Sequence, residues 1–154
     1  MADTVRFEFI SQERVVYEDD VSMVVAPGMS GILGILPRHA PLMTVIVPGE
    51  VMVRKEGQVD RFFAVGGGIM EVRPDKVILL ARSGEAAEEI DITRAQEARK
   101  HAEELLAEGI PDSEERRRLI ETALRRSQVR LKVAERRRKA GPRGPVPFPG
   151  DITE

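Results

Sequence analysis

The sequence predicts an α+β chain: an N-terminal antiparallel β-sandwich over residues 1–84, then a C-terminal antiparallel two-helix hairpin over residues 85–139. Three observations predict it. Short apolar–polar alternations, broken at close intervals by proline and glycine, fill the first half. After Gly84 the apolar residues recur every three and four positions instead of every two. Gly109-Ile110-Pro111 then divides the helical stretch, because proline has no N–H for the helix ladder.

The strand elements follow in order. Val5-Arg6-Phe7-Glu8-Phe9-Ile10 alternates at period two, as a half-buried strand does. A second strand, Asp20–Ala26, is stopped by Pro27-Gly28. Further short strands fit Met43–Val47, Glu50–Arg54, Gln58–Val65, Gly68–Val72 and Lys76–Leu80. Turns are expected between them at Pro48-Gly49, Glu56-Gly57, Gly66-Gly67 and Pro74-Asp75.

Glu88-Glu89-Ile90-Asp91 opens the first helix, with Asp91 as its cap and acidic residues near its positive end. Its apolar stripe is Ile92, Ala95, Ala98, Ala102 and Leu105. Asp112-Ser113-Glu114-Glu115 starts the second helix, with the stripe Ile120, Leu124, Ser127, Leu131 and Ala134. Both stripes are thin and rich in small residues, so the hairpin buries little area and is marginally stable alone. Residues 140–154 carry four prolines between Gly141 and Gly150 and are expected to be disordered, with a proline-rich docking motif as the alternative.

Composition narrows the function. The chain has 154 residues, 42% hydrophobic and only 4% aromatic, so its core is aliphatic. It has no cysteine, which excludes disulfides and thiolate metal sites. No apolar run approaches the roughly 20 residues that span a bilayer, and MADTVRFEFI does not read as a signal peptide. Membrane association is therefore expected only through partner proteins. The net charge of −2 is unevenly spread. Residues 1–89 hold 9 basic and 14 acidic groups, whereas residues 112–139 hold 11 basic and 5 acidic groups.

No convincing catalytic or metal constellation is visible. Gly66-Gly67-Gly68 lacks the following helix and the Lys and Ser or Thr of a phosphate loop, and reads as a turn or bulge. His39 and His101 stand apart, without a cysteine or a carboxylate cluster. The basic second helix, with Arg116-Arg117-Arg118, Arg125-Arg126, Arg130 and Arg136-Arg137-Arg138-Lys139, admits three readings. It is a solvated face, a nucleic-acid-binding surface, or a docking surface for an acidic protein face. Against nucleic acid stand the acidic balance of the first half and its scarcity of aromatic stacking platforms.

Three segments, Gly31-Ile32-Leu33-Gly34-Ile35-Leu36-Pro37-Arg38-His39-Ala40-Pro41-Leu42, Phe63–Val72 and Ile90-Asp91-Ile92-Thr93-Arg94-Ala95, occur in a definite order and spacing. In all three the sequence resembles the epsilon subunits of F-type ATP synthases, over roughly residues 4–139. The resemblance implies a non-catalytic rotor subunit of the central stalk that couples proton translocation to ATP synthesis. Implied partners are the gamma subunit and c-ring for the sandwich, and the alpha and beta catalytic subunits for a hairpin that inhibits ATP hydrolysis. The location it implies is peripheral, on the cytoplasmic face of a bacterial cell membrane, with the chloroplast thylakoid as the alternative. A nucleic-acid-binding module using the basic helix is the alternative function.

The resemblance also implies site residues. No cofactor is required, but ATP is implied as a regulatory ligand, held by Glu85, Ile90, Asp91, Arg94, Ala95, Arg126 and Arg130. Arg126 and Arg130 lie one helical turn apart and can both address phosphates. Without nucleotide, Asp91 would cap the helix and pair with Arg94. Partner contacts fall on Arg38 and His39 in the first motif, and on Arg116, Arg117, Arg118, Arg125 and Arg126. Arg38 departs from the family, which often has glycine there, and the extension after Lys139 lies beyond the usual helical end.

Overall fold

The computed structural model describes residues 3–109 and 113–140. The expected proline-rich tail, and Ile110, Pro111 and Asp112 of the inter-helix connection, lie outside the described residues. Eight strands, β1 (Val5–Ser11), β2 (Val15–Val21), β3 (Met23–Gly28), β4 (Gly31–Ile35), β5 (Leu42–Arg54), β6 (Arg61–Val72), β7 (Lys76–Ala81) and β8 (Gly84–Ala86), precede a 3-10 turn at Ala87–Glu89. Two helices follow, α1 (Ile92–Ala107) and α2 (Glu114–Lys139).

The strand path is β2-β1-β7-β6-β5-β3-β4, with β8 against β6. All pairs are antiparallel except β1 with β7, which run parallel, so the sandwich is mixed. Two strands differ from expectation. Val15–Val21 forms β2 although it carries Glu18, Asp19 and Asp20, because only one of its faces meets the core. Gly31–Ile35, assigned to no strand from the sequence, forms β4 against β3.

The expected turns at Pro48-Gly49 and Gly66-Gly67 are corrected to bends inside β5 and β6. These strands pair along their length, Ile46 with Gly68 and Pro48 with Gly66, leaving Val47 and Gly67 unpaired. The register runs on unchanged through the bend, but the alternation of side chains slips by one residue on both strands, which reverses the set that faces inward. Before the bend Ile46 and Met70 are buried in the core; past it the core residues are Val51, Val53, Phe63 and Val65. One pair of strands thus serves both layers of the sandwich. Gly67 has φ 91°, the left-handed region that favours glycine, and a Cβ at Gly68 would overlap the Leu80 carbonyl oxygen. The glycine run is therefore a structural crossing.

The core between the layers is aliphatic with Phe7, Phe9 and Phe63 at its centre, all fully buried. Phe9 meets Phe63 edge-on with ring centres 5.7 Å apart. A second, smaller apolar cluster joins sandwich to hairpin: Val25, Met52, Phe62 and Ala64 on one side, Val133, Ala134 and Ala140 of α2 on the other, with Ala87 and Ile90 between. β5 and β6 are therefore covered on both faces past the bend, which explains their continuous burial there.

The helix stripes are narrower than expected. On α1, Ala95 and Ala102 are buried, but Ile92 and Ala98 are exposed. On α2, Ser127 and Ala134 are buried, while Ile120, Leu124 and Leu131 are half-buried.

Candidate functional site

The residues grouped by sequence lie around the junction of sandwich and hairpin. β8 enters beside β6, so that Glu50, Ala64 and Glu85 stand in one register row across β5, β6 and β8. Residues in one row point to one face. Glu50 and Glu85 therefore project toward α2, while their neighbours Val51 and Ala86 enter the core. Arg130 of α2 meets Glu85 with two bonds, Nε to Oε2 at 2.8 Å and Nη2 to Oε1 at 3.0 Å. Arg136 meets Glu50 with one, Nε to Oε1 at 3.3 Å, and its guanidinium lies 5.4 Å from the centre of the Phe62 ring.

The entry to the hairpin is pinned from the other side. Arg14, in the β1–β2 turn, makes a two-pronged pair with Glu89 at 3.0 and 2.6 Å. Glu89 Oε2 also accepts the Ala86 N–H at 3.0 Å. These bonds, Arg14 first and the Ala86 N–H second, hold the Glu89 carboxyl below its usual range. The backbone then turns through Ile90, buried in the junction, to Asp91.

Asp91 is the N-cap of α1, its Oδ1 accepting the backbone N–H of Arg94 at 3.0 Å. The pairing expected between Asp91 and Arg94 is thus through the backbone of Arg94, and the Arg94 side chain is exposed. Ala95 is fully buried. Arg126 is exposed one turn before Arg130. Glu85 and Arg130 are thus joined to each other, Asp91 is a cap, and Arg94 and Arg126 face solvent. A cleft of about 450 Å³ opens between α1 and α2, lined in part by Ile92, Arg99, Leu131 and Arg138. None of the residues expected to hold ATP lines it.

The expected partner-binding residues separate into two places. Arg38 and His39 sit in the loop between β4 and β5. Arg38 has φ 62°, a conformation that glycine adopts without cost, which gives a physical reason for glycine at this position. It is held by its N–H to the Pro74 carbonyl at 2.9 Å and by its guanidinium to Asp3 at 2.5 Å. His39 Nδ1 lies 2.7 Å from the Ala40 carbonyl oxygen. Arg116, Arg117, Arg118, Arg125 and Arg126 are exposed on the first half of α2, away from the sandwich. Arg117 pairs with Glu121 at 3.1 Å one turn on.

Sequence reasoning missed two features. One is the ionic seam of Glu50 and Arg136. The other is an apolar row on the outer face of the sheet. Val45 of β5, Ile69 of β6, Leu80 of β7, Ile10 of β1 and Val15 of β2 are register partners in succession. Val45, Ile69, Leu80 and Val15 are 46%, 51%, 55% and 54% exposed. Five adjacent strands thus present one apolar line to solvent, extended at one end by the exposed Met29, whose N–H donates to the Val45 carbonyl. Such a contiguous line marks an interaction surface. The signal was present in the strands, where Val45, Ile69 and Leu80 occupy positions opposite to the core-facing ones.

The chain is thus a mixed sandwich with an outward apolar row, carrying a capped helical hairpin bonded to β5 and β8 through Glu50 and Glu85. Its family follows from comparison. Residues 4–87 match the family described as ATP synthase, Delta/Epsilon chain, beta-sandwich domain, and residues 88–135 match the long alpha-helix domain of the same family. An ATP synthase epsilon chain of Dehalococcoides mccartyi is 48% identical over 138 residues, covering 87% of this chain and 94% of the relative. That of Herpetosiphon aurantiacus is 47% identical over 134 residues, covering 87% and 96%. Among solved structures, a chain of the Euglena gracilis mitochondrial ATP synthase OSCP/F1/c-ring assembly superposes with a TM-score of 0.62 at 19% identity, covering 89% of this chain and 81% of that one. A chain from the central stalk and c-ring of the Tetrahymena thermophila mitochondrial enzyme gives a TM-score of 0.60 at 12% identity, covering 84% and 96%. This chain belongs to the ATP synthase delta/epsilon chain family.

Proposed function

We propose that the chain is the epsilon-type rotor subunit of an F-type ATP synthase, non-catalytic in itself. It couples proton translocation to ATP synthesis through its sandwich and restrains ATP hydrolysis through its hairpin. The observation that carries the reading is the five-strand apolar row, because in a chain of this family it supplies a docking face wide enough for another stalk subunit. We assign that face to the gamma subunit. The loop of Arg38 and His39, at the end of the sandwich, is assigned to the c-ring. The exposed arginines of α2 are assigned to an acidic face of the alpha and beta subunits. The complex would lie at the cytoplasmic face of a bacterial cell membrane, with this chain peripheral.

The chain recovered from its source cells should carry gamma, alpha and beta with it. Recovery with RNA or DNA in their place would favour the nucleic-acid reading of the basic helix instead.

ATP is proposed as a regulatory ligand of the closed hairpin. Arg94 and Arg126 are free to meet phosphates, and Arg130 would exchange its bond to Glu85 for one to the nucleotide. Calorimetry on the whole chain should show one-site binding, and Arg126→Ala should weaken it by roughly tenfold or more, the scale of a lost bond to a charged group. No heat at millimolar ATP would leave Asp91 as a helix cap and Glu85–Arg130 as a structural pair only.

A further inference from the structure

Among the ionic contacts at the junction three differ in geometry: Arg14–Glu89, which ties the 3-10 turn to the sandwich, and the two that reach α2, Arg130–Glu85 and Arg136–Glu50. Arg14–Glu89 and Arg130–Glu85 are two-pronged, with every distance at or below 3.0 Å. The third, Arg136–Glu50, is a single long bond of 3.3 Å. Glu50 Oε2 is buried and has no hydrogen-bond partner among the described residues. The Glu50 side chain is 18% exposed and that of Arg136 32%. A carboxylate taken from water and given half of its bonds costs more than one with both oxygens satisfied.

The position of this pair matters as much as its geometry. Arg136 lies in the last turn of α2, between Val133 and Ala134 on one side and Ala140 on the other, all three packed on the sandwich. Around Glu50 the same face is apolar: Val25, Met52, Phe62 and Ala64. An apolar residue at either position would continue the cluster without interruption. The sequence instead places two charges there, in addition to the fully paired Glu85 and Arg130 of the same face.

We propose that the Glu50–Arg136 pair is a release element, an under-satisfied ion pair whose rehydration lowers the cost of lifting α2 from the sandwich. Closure buries Phe62, Val133 and Ala134; opening returns the second Glu50 oxygen and the guanidinium to water. The two effects oppose each other, which keeps the open and closed states close in free energy. Arg14–Glu89 stays with the sandwich, since both residues lie before the extended Ile90 and Asp91, and those two residues are the pivot. This rests on the proposed function, in which the hairpin restrains hydrolysis, and deepens it by having α2 leave the sandwich to do so.

The test needs no ATP synthase. The chain has no cysteine, so Gln58→Cys in the β5–β6 turn and Gln128→Cys on the exposed side of α2 accept spin labels at chosen places. Pulsed electron resonance on the full chain then gives the ratio of short to long distances, the closed-to-open ratio. Glu50→Met alone and Arg136→Leu alone should each lower that ratio roughly tenfold, because each strands the other charge in the seam. Glu50→Met with Arg136→Leu should raise it roughly fivefold or more above the unmodified chain, as apolar replacement of buried ion pairs does. A double variant as open as the unmodified chain, or more so, would overturn the proposal and make the pair a clamp. So would an unmodified chain with no open fraction even at roughly 1 M salt, where the screening length is about 3 Å. Failure of the hairpin to inhibit hydrolysis would leave these ratios unchanged, so the two readings fail separately.

Discussion

Cutting the chain after Glu89 is expected to raise ATP hydrolysis by the assembled enzyme several-fold while leaving assembly intact. The cut keeps β8 paired with β6 and keeps the Arg14–Glu89 bond, so the sandwich retains its last strand and its outer apolar row. It removes α2, whose 26 residues reach about 39 Å at about 1.5 Å per residue. The first half of the helix carries Arg116, Arg117, Arg118, Arg125 and Arg126, all exposed. Replacing these five with alanine should reproduce much of the release, and raised salt should mimic it in part, because exposed charges are screened within about 10 Å at 0.1 M. An alanine-substituted chain that inhibits as well as the unmodified one would place the brake elsewhere on the hairpin.

Charges placed in the apolar row are expected to remove the chain from the complex altogether. Ile69→Asp and Leu80→Asp lie side by side in the middle of the row, and neither side chain enters the core. The sandwich should therefore fold unchanged while its affinity for gamma falls by roughly a hundredfold, as for truncation of a central interface residue. Binding to gamma and the melting temperature of the free chain are measured together. Normal binding with an intact fold would show that gamma sits on a different face. By contrast, Val59, exposed in the β5–β6 turn and off the row, should accept Asp without loss of binding.

The period of each element was legible in the sequence, and the places where it misled have physical causes. Val5–Ile10 and Lys76–Leu80 were clear because one face of each meets the core and the other meets water. β2 was hidden by Glu18, Asp19 and Asp20, whose charges are matched in part by Arg6 on the neighbouring strand β1 and by Lys55 just past β5. Pro48-Gly49 and Gly66-Gly67 look like turns because a bend within a strand and a turn favour the same residues; only pairing between distant segments tells them apart. Asp91 as cap was readable from the helix-start pattern alone. The Glu85–Arg130 bond was not, since the register that turns Glu85 toward α2 depends on β8 joining β6. The same holds for Glu50, which lies on a strand covered on both faces and gives no local sign of its partner.

Coupling and restraint in one chain is the central claim, and one titration tests both. Enzyme depleted of this subunit in sealed vesicles is supplied with increasing full-length chain, while ATP hydrolysis and ATP-driven proton uptake are followed together. The account predicts that hydrolysis falls as proton uptake rises, both saturating at one copy of the chain per gamma subunit. Hydrolysis and proton uptake that stay constant as the chain is added would contradict it.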